Sequence, residues 1–119
     1  MRLKVLAIAI VVMAAARGFS RAQEAPNAAR GKRVFEKDGC YECHGYAGEG
    51  GRDGARIAQT TMPAAAFARY VRRPSGAMPA FTQKVLSDQE LADIYAYLKS
   101  LPGAKPASEI PLLKRVREK

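Results

Sequence analysis

Both cysteines and the single histidine of this 119-residue chain lie within five consecutive positions, Cys40-Tyr41-Glu42-Cys43-His44. Any thiol or imidazole chemistry is therefore confined to one short segment. Two cysteines exclude a disulfide-dense scaffold, and a four-thiolate zinc site would need thiolates from a second chain. One histidine excludes motifs that need two, such as the HExxH zinc site. A redox C-x-x-C of the thioredoxin kind belongs to a βαβ context, and no convincing strand is legible here. A disulfide between Cys40 and Cys43 would leave His44 without a role.

The run matches C-x-x-C-H, the attachment signature of c-type haem. Two thiols three positions apart reach the two vinyl groups on one porphyrin edge and form thioethers. The next residue then lies under the iron, and its imidazole becomes the proximal ligand. Cys40 and Cys43 are thus the expected covalent anchors of one haem c, with His44 on the metal. A sixth ligand or an open position is still needed. Outside residues 1–22 there are two methionines, Met62 and Met78, each followed by proline. Met78 sits in the loop Gly76-Ala77-Met78-Pro79-Ala80-Phe81, which can deliver a thioether from the side opposite His44. Met62 lies at the mouth of a helix, 18 positions after His44, and reads better as a helix-entry or core residue.

Residues 1–22 have the pattern of a secretory signal. Arg2 and Lys4 precede Val5 to Ala16, an unbroken run of 12 apolar residues ended by Arg17. A transmembrane helix needs ~20. Small residues at Ser20 and Ala22 place the expected cut after Ala22, with Ala14-x-Ala16 as a second possibility. The segment carries four cations (Arg2, Lys4, Arg17, Arg21) and no acid. Its removal takes the formal net charge from +9 to +5 and leaves 97 residues. About half of the basicity belongs to export, so the total charge is no nucleic-acid footprint. A domain this small has a marginal core of its own. An apolar porphyrin would supplement it at ~25 cal/mol per Å² buried.

The expected fold class is all-α, with three main helices and loops wrapped around one haem. Residues 23–27 read as a linker ending in the N-cap Asn27, with a helix over Ala28 to Lys37. Gly31 weakens that helix and so needs a packing reason. Gly45 to Thr61 holds five glycines and reads as loop. Pro63 opens a helix over Ala64 to Arg72. Ser87-Asp88-Gln89-Glu90 is a capping box for a helix running to about Ser100, with Leu91, Ile94, Tyr95 and Leu98 at helical spacing. The domain spans 28–101. In the tail, 102–119, Ile110, Leu112 and Leu113 are expected to pack back on the domain and the last charges to be disordered.

Three helices, an early C-x-x-C-H and a late Met-Pro loop resemble the class I c-type cytochromes over roughly Ala28 to Leu101. The resemblance implies a cytochrome c fold in which Gly31 and Phe35 of the first helix cross Ile94 and Tyr97 of the last. Members of the family commonly place Gly-Pro after the haem motif, and the proline carbonyl accepts the proximal imidazole N–H. This chain has Gly54-Ala55 there, and Ala55 still offers a carbonyl. Ile57 and Phe81 are expected in the haem pocket. Arg69, Arg72, Arg73 and Tyr70 are candidates to meet the propionates.

The sequence contains no nucleotide-binding loop, no Ser/His/Asp set and no second histidine for acid–base work. A His/Met iron has no position for substrate, so the expectation is a non-enzymatic carrier of single electrons in the periplasm. Its partners would be redox proteins, a periplasmic dehydrogenase as donor and an oxidase or another cytochrome as acceptor. No nucleic acid and no membrane span after signal cleavage are expected. The other reading is a five-coordinate haem protein, a small-gas sensor or peroxidase-like enzyme, which requires that Met78 not ligate.

Overall fold

The computed structural model describes residues 24–117, so the expected export segment 1–22 lies outside the described residues. Helix α1 spans Ala28–Lys37, and the Asn27 side chain accepts from the Arg30 N–H at 2.9 Å. That bond satisfies one of the donors a helix start leaves open. Gly39, at φ 73°, turns the chain into a second, short helix α2, Cys40–His44. Helix α3 is Ala64–Arg72 with Pro63 at its N-cap, and α4 is Asp88–Ser100. At the start of α4 the Ser87 side chain accepts from the Glu90 N–H, while the Glu90 carboxylate accepts from the Ser87 N–H. A 3-10 turn, Ala107–Glu109, and helix α5, Pro111–Arg117, follow. Among the described residues there is no strand, and the fold is all-α.

Helix α1 crosses α4 at Gly31. A Cβ there would stand 1.9 Å from the Asp93 carbonyl oxygen and 2.8 Å from the Ile94 nitrogen. Only glycine permits backbones that close. One turn on, the rings of Phe35 and Tyr97 meet edge to face at 5.5 Å. The four-residue crossing implied by the resemblance is the architecture of the protein. Phe35, Phe67, Val71, Leu86, Leu91, Ile94, Tyr97 and Leu98 make the core.

One charge lies inside this contact. Asp93 is 2 % exposed. It accepts from the Asn27 N–H at 2.7 Å, from Arg30 Nε at 2.8 Å and from Gln89 Nε2 at 3.2 Å. A buried carboxylate is tolerable only when paired and hydrogen-bonded in this way. It fixes the start of α1 against the middle of α4.

The far end of α4 holds the glycine-rich loop. Gln59 adopts φ 57°, unusual for a side chain of its type. Its N–H donates to the Leu98 carbonyl at 2.9 Å, and its side-chain amide donates to the carbonyls of Lys99 and Leu101. Those carbonyls have no partner within the helix, so Gln59 acts as an external cap. Arg56 reaches the Pro102 carbonyl, Lys99 the Thr60 carbonyl and Tyr95 the Met62 carbonyl.

The tail differs from expectation. Ile110 is half-buried, but Leu112, Leu113 and Val116 are 67 %, 41 % and 67 % exposed, and the only described helical element that α5 packs on is its own 3-10 turn. The apolar residues of the helix do not return to the core. A seven-residue helix reached through Pro102, Gly103 and Pro106 is held by its own turn instead. The charged end is helical as far as Arg117, and residues 118–119 lie outside the described residues.

Candidate functional site

Helix α2 is a single turn held between two glycines in positive-φ conformations, Gly39 at 73° and Gly45 at 78°. It places both thiols, which are free, and the imidazole on five residues. Cys40 is half-buried against the core and Cys43 is exposed. Burial, and next the neighbouring Asp38 carboxylate, push the Cys40 thiol up to about 11. It therefore stays protonated and neutral near pH 7. Asp38 bonds Lys37 at 3.4 Å through one oxygen; the other is buried and has no hydrogen-bond partner among the described residues.

The imidazole is oriented by the loop that follows. His44 Nδ1 lies 2.7 Å from the Ala55 carbonyl oxygen. A carbonyl only accepts, so Nδ1 carries a proton, and in the neutral ring Nε2 is left with the lone pair. That is the tautomer a metal-ligating histidine needs. Glycines bring the Ala55 carbonyl there. The Gly50 N–H donates to the His44 carbonyl at 2.8 Å, and the Gly51 N–H closes on the Gly54 carbonyl at 2.9 Å. A Cβ on Gly54 would stand 2.7 Å from the Cys43 carbonyl oxygen and 3.0 Å from His44 Nδ1. The Gly48 carbonyl then takes the N–H groups of both Ile57 and Ala58.

Ile57, Met62, Met78 and Phe81 are all half-buried and pack, like Cys40, against the one core. They come from two connecting segments, before and after α3, and give that core an apolar, partly uncovered margin. Met78 stands midway along the excursion from α3 to α4. The Phe81 N–H donates to the Val71 carbonyl at 3.2 Å and returns this loop to α3.

The basic candidates separate. Arg69 and Arg73 are exposed and form no ion pair with a described residue. Tyr70 is exposed, with its hydroxyl 3.1 Å from Ser75 Oγ. Arg72 is committed elsewhere. It donates to the Phe81 carbonyl at 2.8 Å and to Asp88 at 2.7 Å. A guanidinium with both terminal nitrogens so engaged helps to hold the fold.

Sequence reasoning passed over Asp93, Gln59 and the Arg72–Asp88 pair. Asp93 interrupts the apolar spacing of α4, and an acid on a core face asks for a cation. Gln59 left no local signal, since its role is set by carbonyls some 40 positions away.

Among the described residues no three His, Cys, Asp or Glu side chains gather to hold a bare metal ion. The donor set fits a haem instead: two free thiols on one turn, and beside them an imidazole with its outer nitrogen available. Set in an all-α shell with the Gly31 crossing, that combination defines a c-type cytochrome with a cytochrome c fold. The comparison of families agrees. The model described as cytochrome C oxidase, cbb3-type, subunit III matches residues 26–98, more than half of the chain, and the chain belongs to that family. No curated protein and no solved structure matches it. Haem c and electron transfer follow from the family, which marks the chain as a carrier of electrons.

Proposed function

We propose that this cytochrome is exported, loses residues 1–22, and carries single electrons between proteins of the periplasm. Cys40 and Cys43 anchor the haem, His44 Nε2 ligates the iron and Met78 closes the sixth position. When bound, the haem supplies a one-electron Fe(III)/Fe(II) couple. The chain's residues do the rest: His44 is held in one tautomer by Ala55, and Ile57, Phe81 and the core margin keep water from the porphyrin. Thioether ligation in an apolar pocket favours the less charged ferrous state and raises the potential.

The observation that carries this reading is the 2.7 Å contact between His44 Nδ1 and the Ala55 carbonyl. It orients the one histidine for a metal, on the residue that follows the second thiol. The subunit III match supports an acceptor of the oxidase class, with this chain as its partner or as a subunit fixed to it. A periplasmic dehydrogenase suits the donor side. No described helix is long and apolar enough to cross a membrane. Arg69 and Arg73 offer a basic rim that would steer an acidic partner.

The test is expression in a host equipped for cytochrome maturation. The mature chain should emerge coloured, at the mass of the polypeptide plus one haem, beginning at Gln23. Its ferrous form should bind carbon monoxide poorly, and Met78→Ala should bind it readily. A colourless product at the bare polypeptide mass would sink the reading. Ready carbon monoxide binding by the wild type would favour a five-coordinate sensor or peroxidase.

A further inference from the structure

The chain leaves α3 at Arg72 and re-enters helix at Asp88, with Met78 on the excursion between them. The ends of this excursion are joined by one side chain. Arg72 Nη2 donates to Asp88 Oδ1 at 2.7 Å, closing the base of the loop. Arg72 Nη1 donates to the Phe81 carbonyl at 2.8 Å, three residues past Met78, and holds the returning limb. Gln83 adds a side-chain bond to the other Asp88 oxygen. The Phe81 N–H to Val71 bond completes the attachment. Arg72 is half-buried and its bond to the Phe81 carbonyl is partly shielded from water, while the Asp88 carboxylate is exposed.

We propose that Arg72 is the positioning residue for Met78, its guanidinium clamping the loop so that the thioether stays on the iron. The proposal rests on the reading of Met78 as the sixth ligand. A methionine on a loop of this length leaves the metal whenever the loop opens. Each bond that exists only in the closed loop lowers the population of the open form. Arg72 holds the loop at two points, the α4 entrance and the Phe81 carbonyl. Lysine, a point charge on a flexible stem, cannot fork in this way. The Asp88 carboxyl is held below the usual carboxylate range, chiefly by its bond to Arg72, which supports an intact pair near pH 7.

The experiment uses the mature ferric holoprotein and imidazole as a competing ligand. Imidazole binds only when Met78 has left, so its apparent affinity reports the open fraction. Arg72→Ala is expected to tighten apparent imidazole binding roughly tenfold, about the loss of one charge-assisted hydrogen bond. Asp88→Asn should tighten it less, because the Phe81 bond survives. The double variant should match Arg72→Ala alone. The helical unfolding midpoint is followed in parallel. Should imidazole affinity stay at the wild-type value, or rise only as far as helical stability falls, the clamp is disproved. Equal, additive effects of the two single changes would also overturn it. The ligand assignment fails separately. If wild type lacks the long-wavelength band of a methionine–iron bond, or Met78→Ala keeps it, Met78 is no ligand and the proposal falls with that reading.

Discussion

The carbonyl oxygen of Asp93 lies 1.9 Å from the position a Cβ on Gly31 would take. The obstacle is backbone, so no rotamer change relieves it. Gly31→Ala should force α1 and α4 apart, at a net cost of about 2 kcal/mol even after the gain in helix propensity. For a domain of this size the thermal midpoint should fall by roughly 10 °C. A midpoint equal to wild type would contradict the crossing.

Asp93 makes stability depend on pH. Burial is the largest single influence and opposes ionisation, yet the bonds from Arg30, Asn27 and Gln89 together hold the carboxyl below its usual range. A depressed folded pKa means stability that is present above the unfolded value, ~3.9, and lost as pH falls through the lower folded one. Asp93→Asn should reduce stability at pH 7 and flatten the decline that sets in as pH falls below about 4. Urea unfolding at several pH values measures both. Parallel curves for the two proteins would rule the linkage out.

Helices α1, α3 and α4 were legible because their signals are local: Asn27, Pro63 and the Ser87–Glu90 box mark the starts, and the apolar spacing marks the faces. Helix α2 was not, since one turn between glycines has too few residues to show a period. The thiols and His44 announced themselves by spacing, whereas the partner of His44 came from the family's Gly-Pro position and was fixed by Gly54, which no periodicity reveals. The bonds of Arg72 were not legible for a related reason. A cation at a helix end reads alike whether it faces a cofactor anion or Asp88, and only the return of the loop decides. In α5, Leu112, Leu113 and Val116 form an apolar arc that sequence cannot assign to a core or to solvent.

The basic rim predicts how the protein meets its donor. Arg69 and Arg73 are exposed on α3 and at its C-cap. Reduction by an acidic redox protein should slow as ionic strength rises past the point where the Debye length is about 10 Å. Arg69→Glu with Arg73→Glu should lower the low-salt rate severalfold and remove most of the salt dependence. Stopped-flow reduction across a salt series gives the slope. A slope near zero in wild type would point to docking through an apolar patch.

Ala55 and Gly54 set a prediction for the potential. With His44 on the iron as proposed, the carbonyl accepting from Nδ1 would make it a stronger donor through Nε2 and favour the more positive ferric iron. Gly54→Ala puts a methyl group 2.7 Å from the Cys43 carbonyl oxygen and 3.0 Å from Nδ1, so the loop must lift and the bond to Ala55 must lengthen. The potential should therefore rise. Ala55→Pro keeps the carbonyl and removes an N–H with no backbone partner among the described residues. It should leave the potential unchanged. Redox titration of the three holoproteins checks the pair: a fall in Gly54→Ala, or an equal shift in Ala55→Pro, would show that the carbonyl does not tune the metal.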